Sequence, residues 1–263
     1  MKTLRIGTFN IQHGQDHVKY LESKQDVIDL PRVASLIRSE GLDICALNEV
    51  RNEENTAVAV NQAKVIGEAL GYHYYFAKAI DFRGGTYGNA IVSRYPIVKT
   101  VLYLIATAKE ERVGKHYYED RVLLAADIDI DGEIVTFLVC HYGLAPLEQE
   151  RAVAIAKEVV RKAEHPVVYL GDFNVTPASD VYAQICTFLT DAADGGDNFT
   201  FPSHAPSRKI DYIFTGNGAS AKDFCICPEV VSDHCAITVS SPSARKCKHT
   251  EKGSHTDWCG ILF

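Results

Sequence analysis

The sequence predicts an α/β domain in which two β-sheets pack face to face with helices outside them. Apolar, strand-like runs recur along the chain, with stretches of helical periodicity between them. The strongest hairpin signal joins neighbouring strands in antiparallel fashion, so the pattern is not a simple alternating, doubly wound one. The chain has 263 residues, of which 46% are hydrophobic and 23% charged, which suits one large soluble domain or two small ones.

In the first part of the chain, strand and helix signals alternate. Arg5–Ile11 and Asp43–Val50 are apolar runs that predict two buried strands. Between them a helix begins near Leu30, because Pro31 suits its first turn and Gly41 suits a C-terminal cap. The other elements predicted here are a helix from about Ala57 to Leu70, closed by Gly71, and strands over His73–Ala79 and Asn89–Ser93.

The clearest local signal in the rest of the chain is a hairpin. Leu123–Ile130 and Glu133–Val139 flank Asp131-Gly132, a pair that favours a primed turn between antiparallel strands. After about residue 240 the chain becomes polar and lysine-rich, so we assign 1–240 to the domain and 241–263 to a flexible C-terminal tail. The other predicted elements are a helix over Leu147–Ala163 and strands over Pro166–Leu170, Lys209–Thr215 and Cys235–Val239.

The charge and hydropathy of the chain narrow the classes of function. The formal net charge is −7 and the pI is about 5.8, whereas proteins that bind duplex nucleic acid by neutralising phosphates usually present a basic face. This argues mildly against indiscriminate DNA binding, although carboxylates gathered around a cation would also make the charge more negative. An apolar run of about 18 residues, which would predict a transmembrane helix, is missing. Because Met1–Ile6 also lacks an apolar signal core, we expect a cytoplasmic protein.

Eight cysteines are scattered along the chain. Several lie within apolar strand patterns, where a reduced cysteine behaves as a small hydrophobic residue. The pair Cys225 and Cys227 has no second pair at zinc-ligand spacing. Buried thiols are therefore favoured over a metal site or a disulfide framework.

The most informative pattern is that acid, amide and imidazole residues follow the ends of apolar strands. Any one of them alone is explained equally well by a turn or a salt bridge. Together they predict one shared rim, because open sheets display reactive groups where their strands end. The candidates are Asn10, Glu49, His141, Asp172, Asn174, Asp211, Asp233 and His234.

Segments around these residues form an ordered series of motifs. They are Thr8–Gly14 (TFNIQHG), Leu47–Val50 (LNEV), Gly88–Pro96 (GNAIVSRYP), Gly171–Asn174 (GDFN) and Ser232–His234 (SDH). In order and approximate spacing the series resembles that of the endonuclease/exonuclease/phosphatase superfamily, over about Leu4–Val239. The resemblance implies a four-layer α/β sandwich, with two mixed, mostly antiparallel β-sheets flanked by helices. It also implies that 1–240 is a catalytic domain.

The motifs depart from the usual pattern of the superfamily in two places. Asn48 stands where the superfamily more often has Gln before its metal-binding Glu, and the two amides differ by one methylene. Arg51 stands where abasic-site endonucleases often have Lys. The opening Asn10–Gly14 is more similar to the broad bacterial hydrolase branch, whose substrates are diverse, than to dedicated DNA-repair enzymes.

Hydrolysis of a phosphate ester needs charge neutralisation, an oriented water and a group that moves protons. Mg²⁺ prefers oxygen ligands and keeps several of its waters. We expect Glu49 to supply a carboxylate ligand and Asn10 an amide oxygen, with Mn²⁺ able to substitute for Mg²⁺. The resemblance places Asp233 near the metal or its waters.

The remaining candidates are expected to handle the water and the phosphate. Asp172 is our choice for the general base, with Asn174 beside it holding the nucleophile or the phosphoryl oxygens. His234 would hydrogen-bond a phosphoryl oxygen while Asp211 orients its ring, because a carboxylate behind a histidine fixes the tautomer. His141 would contact the phosphate or assist the leaving group. Whether Asp172 or His234 is the working base stays open from the sequence.

Three further residues are weaker candidates for contacting the substrate phosphate. Arg121 precedes a strand and could bind phosphate through two parallel hydrogen bonds. A surface ion pair of Arg121 with Glu119 or Asp120 is an equal alternative. Asn89 belongs to one of the motifs but could equally end a turn, and Tyr87 is the third candidate.

The function expected from the sequence is a Mg²⁺-dependent phosphoric ester hydrolase, and we expect a monomer. Its substrate would be a small or lipid-derived phosphodiester or phosphomonoester, attacked by an activated water. One alternative is an endo- or exonuclease acting on DNA or RNA, although no basic stripe with interleaved aromatic residues supports it. Another is a non-catalytic binding platform. The loops expected to set the substrate are Arg51–Thr56, Ile80–Tyr87 and Ala106–Asp120.

Overall fold

A computed structural model of the chain describes residues 4–53, 60–193 and 197–240. The predicted C-terminal tail at 241–263 and the predicted start of a helix at Ala57 lie outside these ranges. The strands of the described chain are β1 (Arg5–Asn10), β2 (Ile44–Asn52), β3 (His73–Phe82), β4 (Gly85–Ser93), β5 (Ile97–Ile105), β6 (Arg121–Ile130), β7 (Glu133–His141), β8 (Val167–Asp172), β9 (Thr190–Asp191), β10 (Asp211–Gly216), β11 (Lys222–Ile226) and β12 (Ile237–Ser240). The helices are α1 (His17–Ser23), α2 (Leu30–Ser39), α3 (Gln62–Leu70), α4 (Pro146–Lys162) and α5 (Asp180–Ile185), with 3₁₀ turns at Gln12–Gly14 and Lys109–Glu111.

The strands form two six-stranded sheets, ordered β11-β12-β1-β2-β4-β3 and β5-β6-β7-β8-β10-β9. Each sheet contains one parallel pair, β1 with β2 and β7 with β8, and the other pairs are antiparallel. The predicted fold class, two mixed and mostly antiparallel sheets, is confirmed. The parallel pairs lie near the middle of their sheets, and their C-terminal ends carry most of the candidate residues.

Three apolar clusters separate four layers of structure. The first lies between the two sheets and includes Ile44, Leu124 and Phe137. The second fills the space between the first sheet and helices α2 and α3, and the third packs α4 and α5 against the second sheet. Because every sheet face is covered, β1, β2, β7 and β8 are almost continuously buried.

Local sequence signals explain where the helices begin and end. Asp29 accepts a hydrogen bond from Arg32 N at the start of α2, and Pro31 lies in the first turn. Asn61 caps α3 in the same way, and Gly71 closes it with φ +70°. The helix predicted from about Ala57 therefore begins later in the described chain, at Gln62, directly after its cap.

The predicted hairpin is confirmed, and the left-handed backbone of its turn explains the residues there. Asp131 and Gly132 connect β6 to β7 with φ values of +57° and +96°. A primed turn needs positive φ at both central residues, which Asp and Gly tolerate best. By contrast, the prediction of a rim loop over Ile80–Tyr87 is wrong, since β3 continues to Phe82 and β4 already begins at Gly85.

Five elements were not predicted from the sequence: α1, β5, α5, β9 and β11. Strand β5 is the edge of its sheet, and α1 is a short, mostly exposed helix. The thiols of Cys45, Cys140, Cys227 and Cys235 are free and buried, as predicted, whereas Cys225 is disulfide-bonded and departs from that prediction. Among the helices of the described ranges, none is both long and apolar enough to cross a membrane.

Candidate active site

The strand registers bring the candidate residues to one edge of the two sheets. Asn10 pairs with Asn48 where the parallel strands β1 and β2 run towards this edge. In the other sheet His141 pairs with Asp172, and Asp172 pairs with Asp211 across the antiparallel β8–β10 ladder. The two sheets meet directly here, because Asn10 Nδ2 donates to Asp172 Oδ2 over 3.0 Å.

Glu49 is held by two hydrogen bonds and by an unusual backbone. Strand β2 has an irregular register between Leu47 and Val50, and Glu49 within it has φ +60°. Bulges of this kind re-aim a side chain, and left-handed φ at a non-glycine residue often marks a functional site. The Glu49 carboxylate accepts from Asn10 Nδ2 at 3.0 Å and from the Tyr87 hydroxyl at 2.6 Å. Tyr87, expected to contact phosphate, thus orients Glu49.

Asn48 ties the two sheets together directly behind the site. Its Oδ1 accepts from the backbone N–H of Asp172 at 2.9 Å, and its Nδ2 donates to Cys140 O and to Asn89 Oδ1. Asn89 in turn donates to the carbonyl of Val122 and is 2% exposed. The prediction that Asn89 contacts the substrate phosphate is therefore corrected: its amide oxygen and its amide nitrogen both have partners inside the protein.

The segment Gly171–Asn174 places a carboxylate and an amide side by side. Gly171 has φ +146°, and a Cβ there would lie 1.9 Å from the carbonyl oxygen of Cys140, so only glycine fits. Asp172 Oδ1 accepts from the backbone N–H of Asn174 at 2.9 Å. Asn174 has φ +52°, and its Nδ2 donates to Tyr142 O at 3.0 Å.

Asp211, His234 and Asp172 form a line of proton-handling groups. His234 Nδ1 is 2.9 Å from Asp211 Oδ2, and its Nε2 is 3.6 Å from Asp172 Oδ2. Burial lowers the pKa of His234, but the Asp211 and Asp172 carboxylates outweigh it and raise the pKa to about 10. The ring is therefore charged near neutral pH and carries a proton on each nitrogen, of which Nδ1 donates to Asp211.

Asp172 lies in a different environment from Asp211. Burial raises the pKa of the Asp172 carboxyl, His234 opposes this shift, and the Asp211 carboxylate adds to it. Asp172 is 1% exposed and lies within reach of both candidate histidines, since His141 Nε2 is 3.5 Å from its Oδ2. A carboxylate with a raised pKa is a better proton acceptor than an exposed one.

His141 is kept neutral by a buried arginine. Arg121 Nη1 lies 3.2 Å from His141 Nδ1, and because a guanidinium only donates, Nδ1 is the acceptor. Asn174 Nδ2 lies 3.1 Å from Nε2, so two donors face a ring that can accept from only one of them. The charged guanidinium is the stronger donor, and the proton of the neutral ring is therefore on Nε2, 3.5 Å from Asp172 Oδ2. Burial, Arg121 and His234 lower the pKa of His141 well below its ordinary value. Arg121 also pairs with Glu119 at 3.1 Å, so the ion pair considered above exists but is buried.

The oxygen groups around Glu49 fit a hard divalent cation. Burial raises the pKa of the Asp233 carboxyl, and among the charges around it Glu49 raises this pKa while His234 lowers it. A carboxylate whose ionisation is opposed by a neighbouring carboxylate is stabilised by a nearby cation. The donor set also contains the Asn10 amide oxygen, which within the described residues accepts one hydrogen bond, from the backbone N–H of Gln12 at 3.1 Å. These all-oxygen donors are those that Mg²⁺ prefers.

A second group of residues also has ligand atoms close together. One atom from each of Asp172, Asp211 and His234 lies within 4.8 Å of the others. However, His234 Nδ1 already pairs with Asp211 Oδ2 at 2.9 Å and Nε2 faces Asp172 Oδ2 at 3.6 Å, so the ligand atoms of this group are directed at one another. We therefore regard these three residues as a proton-handling group and the Glu49 side as the cation side.

Two contributors to the site were not found from the sequence. The first is Phe201, whose ring centroid lies 4.7 Å from that of His234. The second is Asn48, which was expected only to stand in place of Gln and which accepts a hydrogen bond from Asp172 N. The apolar context of Asn48, between Leu47 and Glu49 in a buried strand, was the available signal that its amide is satisfied internally. For Phe201 no signal existed, since it lies in a loop 33 residues before His234.

The model of the endonuclease/exonuclease/phosphatase family matches residues 7–234. The chain belongs to this family. Members of the family are phosphoester hydrolases and generally depend on a divalent metal. The match covers all the candidate residues from Asn10 to His234, and the recognition made from the motifs is confirmed.

Two relatives in the family are distant in sequence. The protein YbhP of Escherichia coli (strain K12) is 22% identical over 206 residues, which are 73% of this chain and 79% of YbhP. Protein cwh43 of Schizosaccharomyces pombe is 22% identical over 172 residues, which are 65% of this chain. The matched region spans 16% of the length of cwh43.

Solved structures with the same fold include proteins with different substrates in their names. A mannosyl-6-phosphatase of Bacteroides thetaiotaomicron superposes with a TM-score of 0.71 at 18% identity, covering 90% of this chain and 98% of that one. TDP2 of D. rerio, complexed with a single-stranded DNA product, superposes with a TM-score of 0.66 at 15% identity, covering 91% and 99%. At these identities the similarity shows the fold alone.

Proposed function

We propose that the chain is a Mg²⁺-dependent hydrolase of phosphodiesters or phosphomonoesters, in which an activated water attacks phosphorus. The observation that carries this proposal is that His234 lies 3.6 Å from Asp172 and 2.9 Å from Asp211, next to Asn10 and Glu49 from the other sheet. Hydrolysis requires an anion-stabilising donor, a base and a cation side at one place. This edge offers all three.

The cation would be held by Glu49 and Asn10, with Asp233 near it or its waters. When bound, Mg²⁺, or Mn²⁺ in its place, would neutralise charge on the phosphate and polarise its oxygens. The protein's contribution on this side is to fix the ligands. The Tyr87 hydroxyl and Asn10 Nδ2 hold the two carboxylate oxygens of Glu49 in one orientation.

Protons would be moved on the other side of the site. Asp172 accepts a proton from the attacking water, since its raised pKa makes it a stronger base than an ordinary carboxylate. The charged His234 ring donates from Nε2 to a phosphoryl oxygen, and Asp211 holds the ring through Nδ1. Asn174 positions the nucleophile beside Asp172, and the neutral His141 ring donates from Nε2 to the phosphate or the leaving group.

The substrate class we favour is a small or lipid-derived phosphoester. The net charge of −7 opposes indiscriminate binding to nucleic acid, and the mannosyl-6-phosphatase shows that this fold accommodates small phosphorylated substrates. A nuclease is the second candidate, favoured by the likeness to TDP2 in complex with single-stranded DNA product. A binding platform without activity is the third, and the presence of every expected acid, amide and imidazole opposes it.

A hydrolysis panel with and without EDTA separates these candidates. It contains bis-p-nitrophenyl phosphate, a phosphomonoester, sphingomyelin, phosphoinositides, and single- and double-stranded DNA. We expect EDTA-sensitive hydrolysis of a small or lipid ester. Activity confined to DNA that falls steeply with salt would identify a nuclease. Inertness towards the whole panel, with and without added Mg²⁺, would contradict the proposed activity and favour the platform.

A further inference from the structure

A group of basic side chains lies next to the site but outside the catalytic residues described above. We call it the cationic rim, and it consists of His17, Lys24, His204 and Arg208. His17 and Lys24 lie at the two ends of α1, and His204 and Arg208 lie in the loop that precedes β10. His204 and Arg208 are exposed, whereas His17 is 5% exposed.

The loop that carries His204 and Arg208 is packed directly on the catalytic residues. The Phe201 ring centroid is 4.7 Å from that of His234, and the Arg208 guanidinium is 4.8 Å from the Phe201 ring centroid. The backbone N–H of Ser203 donates to the carbonyl of Asp233 at 2.6 Å. Phe201 therefore contacts both His234 and Arg208, and Ser203, the residue next to His204, is hydrogen-bonded to Asp233.

The two rim histidines form a pair that presents a donor outward. His17 Nε2 is 3.4 Å from His204 Nδ1, and His17 Nδ1 is buried without a hydrogen-bond partner in the described part of the chain. If His204 donated in this pair, the proton of a neutral His17 would be on the buried Nδ1, where an unpaired donor is destabilising. His17 is therefore the donor, and the proton of His204 is on Nε2, the nitrogen that is not engaged with His17.

The charge around the pair is positive. Burial lowers the pKa of His17, and His204, Lys24 and His234 lower it further. The adjacent Asp16 carboxylate does not balance this charge, since it pairs with Arg32 at 3.1 Å and Lys19 at 3.3 Å. An anion bound beside the pair would favour the charged form of His17 and offset the charge of Lys24.

We propose that the cationic rim binds a second phosphate of the substrate whose first phosphate is hydrolysed at Asp172. The substrate class is thus a compound with two phosphates a short distance apart, either a soluble bisphosphate or a bisphosphorylated lipid headgroup. This inference rests on the proposed function, because it specifies the substrate of the same site. His204 and Arg208 would donate to the second phosphate directly, and His17 would act as a positioning residue behind His204.

Calorimetry with α,ω-alkanebisphosphonates of one to four methylenes tests the rim, each ligand being compared with the alkylphosphonate of equal length. Free Mg²⁺ is held at the same concentration in every titration, because the proposed function requires a cation to neutralise the first phosphate. We expect at least one bisphosphonate to bind about tenfold tighter than its partner, which corresponds to about 1.4 kcal/mol. In His204→Ala and Arg208→Gln this ratio is expected to fall towards one. In His73→Ala, which removes an exposed histidine at the start of β3, we expect it to persist.

A lipid arm distinguishes the source of the second phosphate. Sedimentation with phosphatidylcholine vesicles compares phosphatidylinositol bisphosphate with the monophosphate, in the wild type and in His204→Ala. A His204-dependent preference for two phosphates in either arm supports the rim. Equal binding of mono- and bisphosphorylated ligands in both arms, or a preference that survives both substitutions, would overturn it. These assays measure binding without turnover. A negative hydrolysis panel would therefore contradict the proposed activity, while the affinity ratio of bisphosphonate to alkylphosphonate would still test the rim.

Discussion

Hydrogen bonds from both sheets converge on Asp172. Its Oδ1 accepts from Asn174 N, its Oδ2 accepts from Asn10 Nδ2, and both candidate histidines lie within 3.6 Å of Oδ2. Such an arrangement leaves little freedom for the carboxylate, which is what a base aimed at one water requires. The residue with the raised pKa is also the residue in the middle of the network.

Replacing Asp172 by Asn should remove the base while keeping the volume. We expect turnover to fall by about 10²–10⁴, the usual contribution of general acid–base catalysis, because an amide cannot accept the proton of the water. The measurement is steady-state hydrolysis of bis-p-nitrophenyl phosphate, with circular dichroism and thermal unfolding showing that the variant is folded. Near-normal turnover in a folded variant would exclude Asp172 as the base.

At the scale of residues, the sequence predicted which residues lie at the site better than it predicted their hydrogen-bond partners. Strand ends placed Asn10, Glu49 and Asp172 on one edge, because the C-terminal ends of parallel strands meet there. The sequence could not show that the Asn89 amide oxygen accepts a hydrogen bond from Asn48. Nor could it show that Arg121 contacts His141 rather than phosphate. Those contacts join residues 41 and 20 positions apart, and they depend on how the sheets stack.

Helices α1 and α2 are held together by one buried carboxylate. Asp16 caps α1 by accepting from Lys19 N at 3.1 Å, and it also accepts from Arg32 Nη1 in α2 at 3.1 Å. Burial opposes the ionisation of Asp16, but hydrogen bonds from Lys19 and the charges of Arg32 and Lys19 prevail, so its pKa is lowered. A lowered pKa in the folded state stabilises the fold above the unfolded pKa and is lost on acidification.

Asp16→Asn should therefore destabilise the protein in a pH-dependent manner. The amide can still cap α1, so only the charge is removed, and we expect a loss of roughly 0.5–1 kcal/mol at pH 7. The loss should shrink as the pH falls through the folded-state pKa, which lies below the ordinary value of 3.8. Urea unfolding at pH 7 and at pH 3 measures it, with Asp29→Asn as the matched cap variant. An equal loss at both pH values would argue against the ion pair.

At the scale of elements, the strongest local chemistry gave the best predictions. Asp and Gly favour the primed turn that joins β6 to β7, and this preference predicted the hairpin. Pro in the first turn and Gly after the last turn predicted the two ends of α2. Helix α1 was missed because its seven residues, HVKYLES, show no apolar stripe. Strand β5 was missed because it is an edge strand with mostly exposed or half-exposed residues, so its burial does not alternate cleanly.

At the scale of the molecule, two sheets with equivalent parallel pairs are joined behind the site through Asn48. This side chain is fully buried and satisfies three groups of the other strands: Asp172 N, Cys140 O and Asn89 Oδ1. Buried polar networks fix a unique arrangement when every member is paired. Asn48 therefore sets the register of one sheet against the other.

Asn48→Ala should destabilise the whole domain. We expect a loss of about 3 kcal/mol or more, because three buried polar groups lose their partner at about 1 kcal/mol or more each. Urea unfolding monitored by fluorescence measures the loss. Thr187→Ala, which removes an exposed hydrogen bond to Gln184 O, is the control and should change stability by no more than about 0.5 kcal/mol. A similar small effect for both variants would contradict the joining role of Asn48.

The central claim is that residues from both sheets create one cation-assisted site for phosphoester hydrolysis. Turnover of bis-p-nitrophenyl phosphate as a function of free Mg²⁺, in the wild type and in Glu49→Gln, tests it most directly. We expect no turnover in EDTA, recovery on adding Mg²⁺, and a requirement for at least about tenfold more Mg²⁺ in the variant, because it loses the charged ligand. Turnover that persists in EDTA, or an identical Mg²⁺ dependence in both proteins, would contradict the claim.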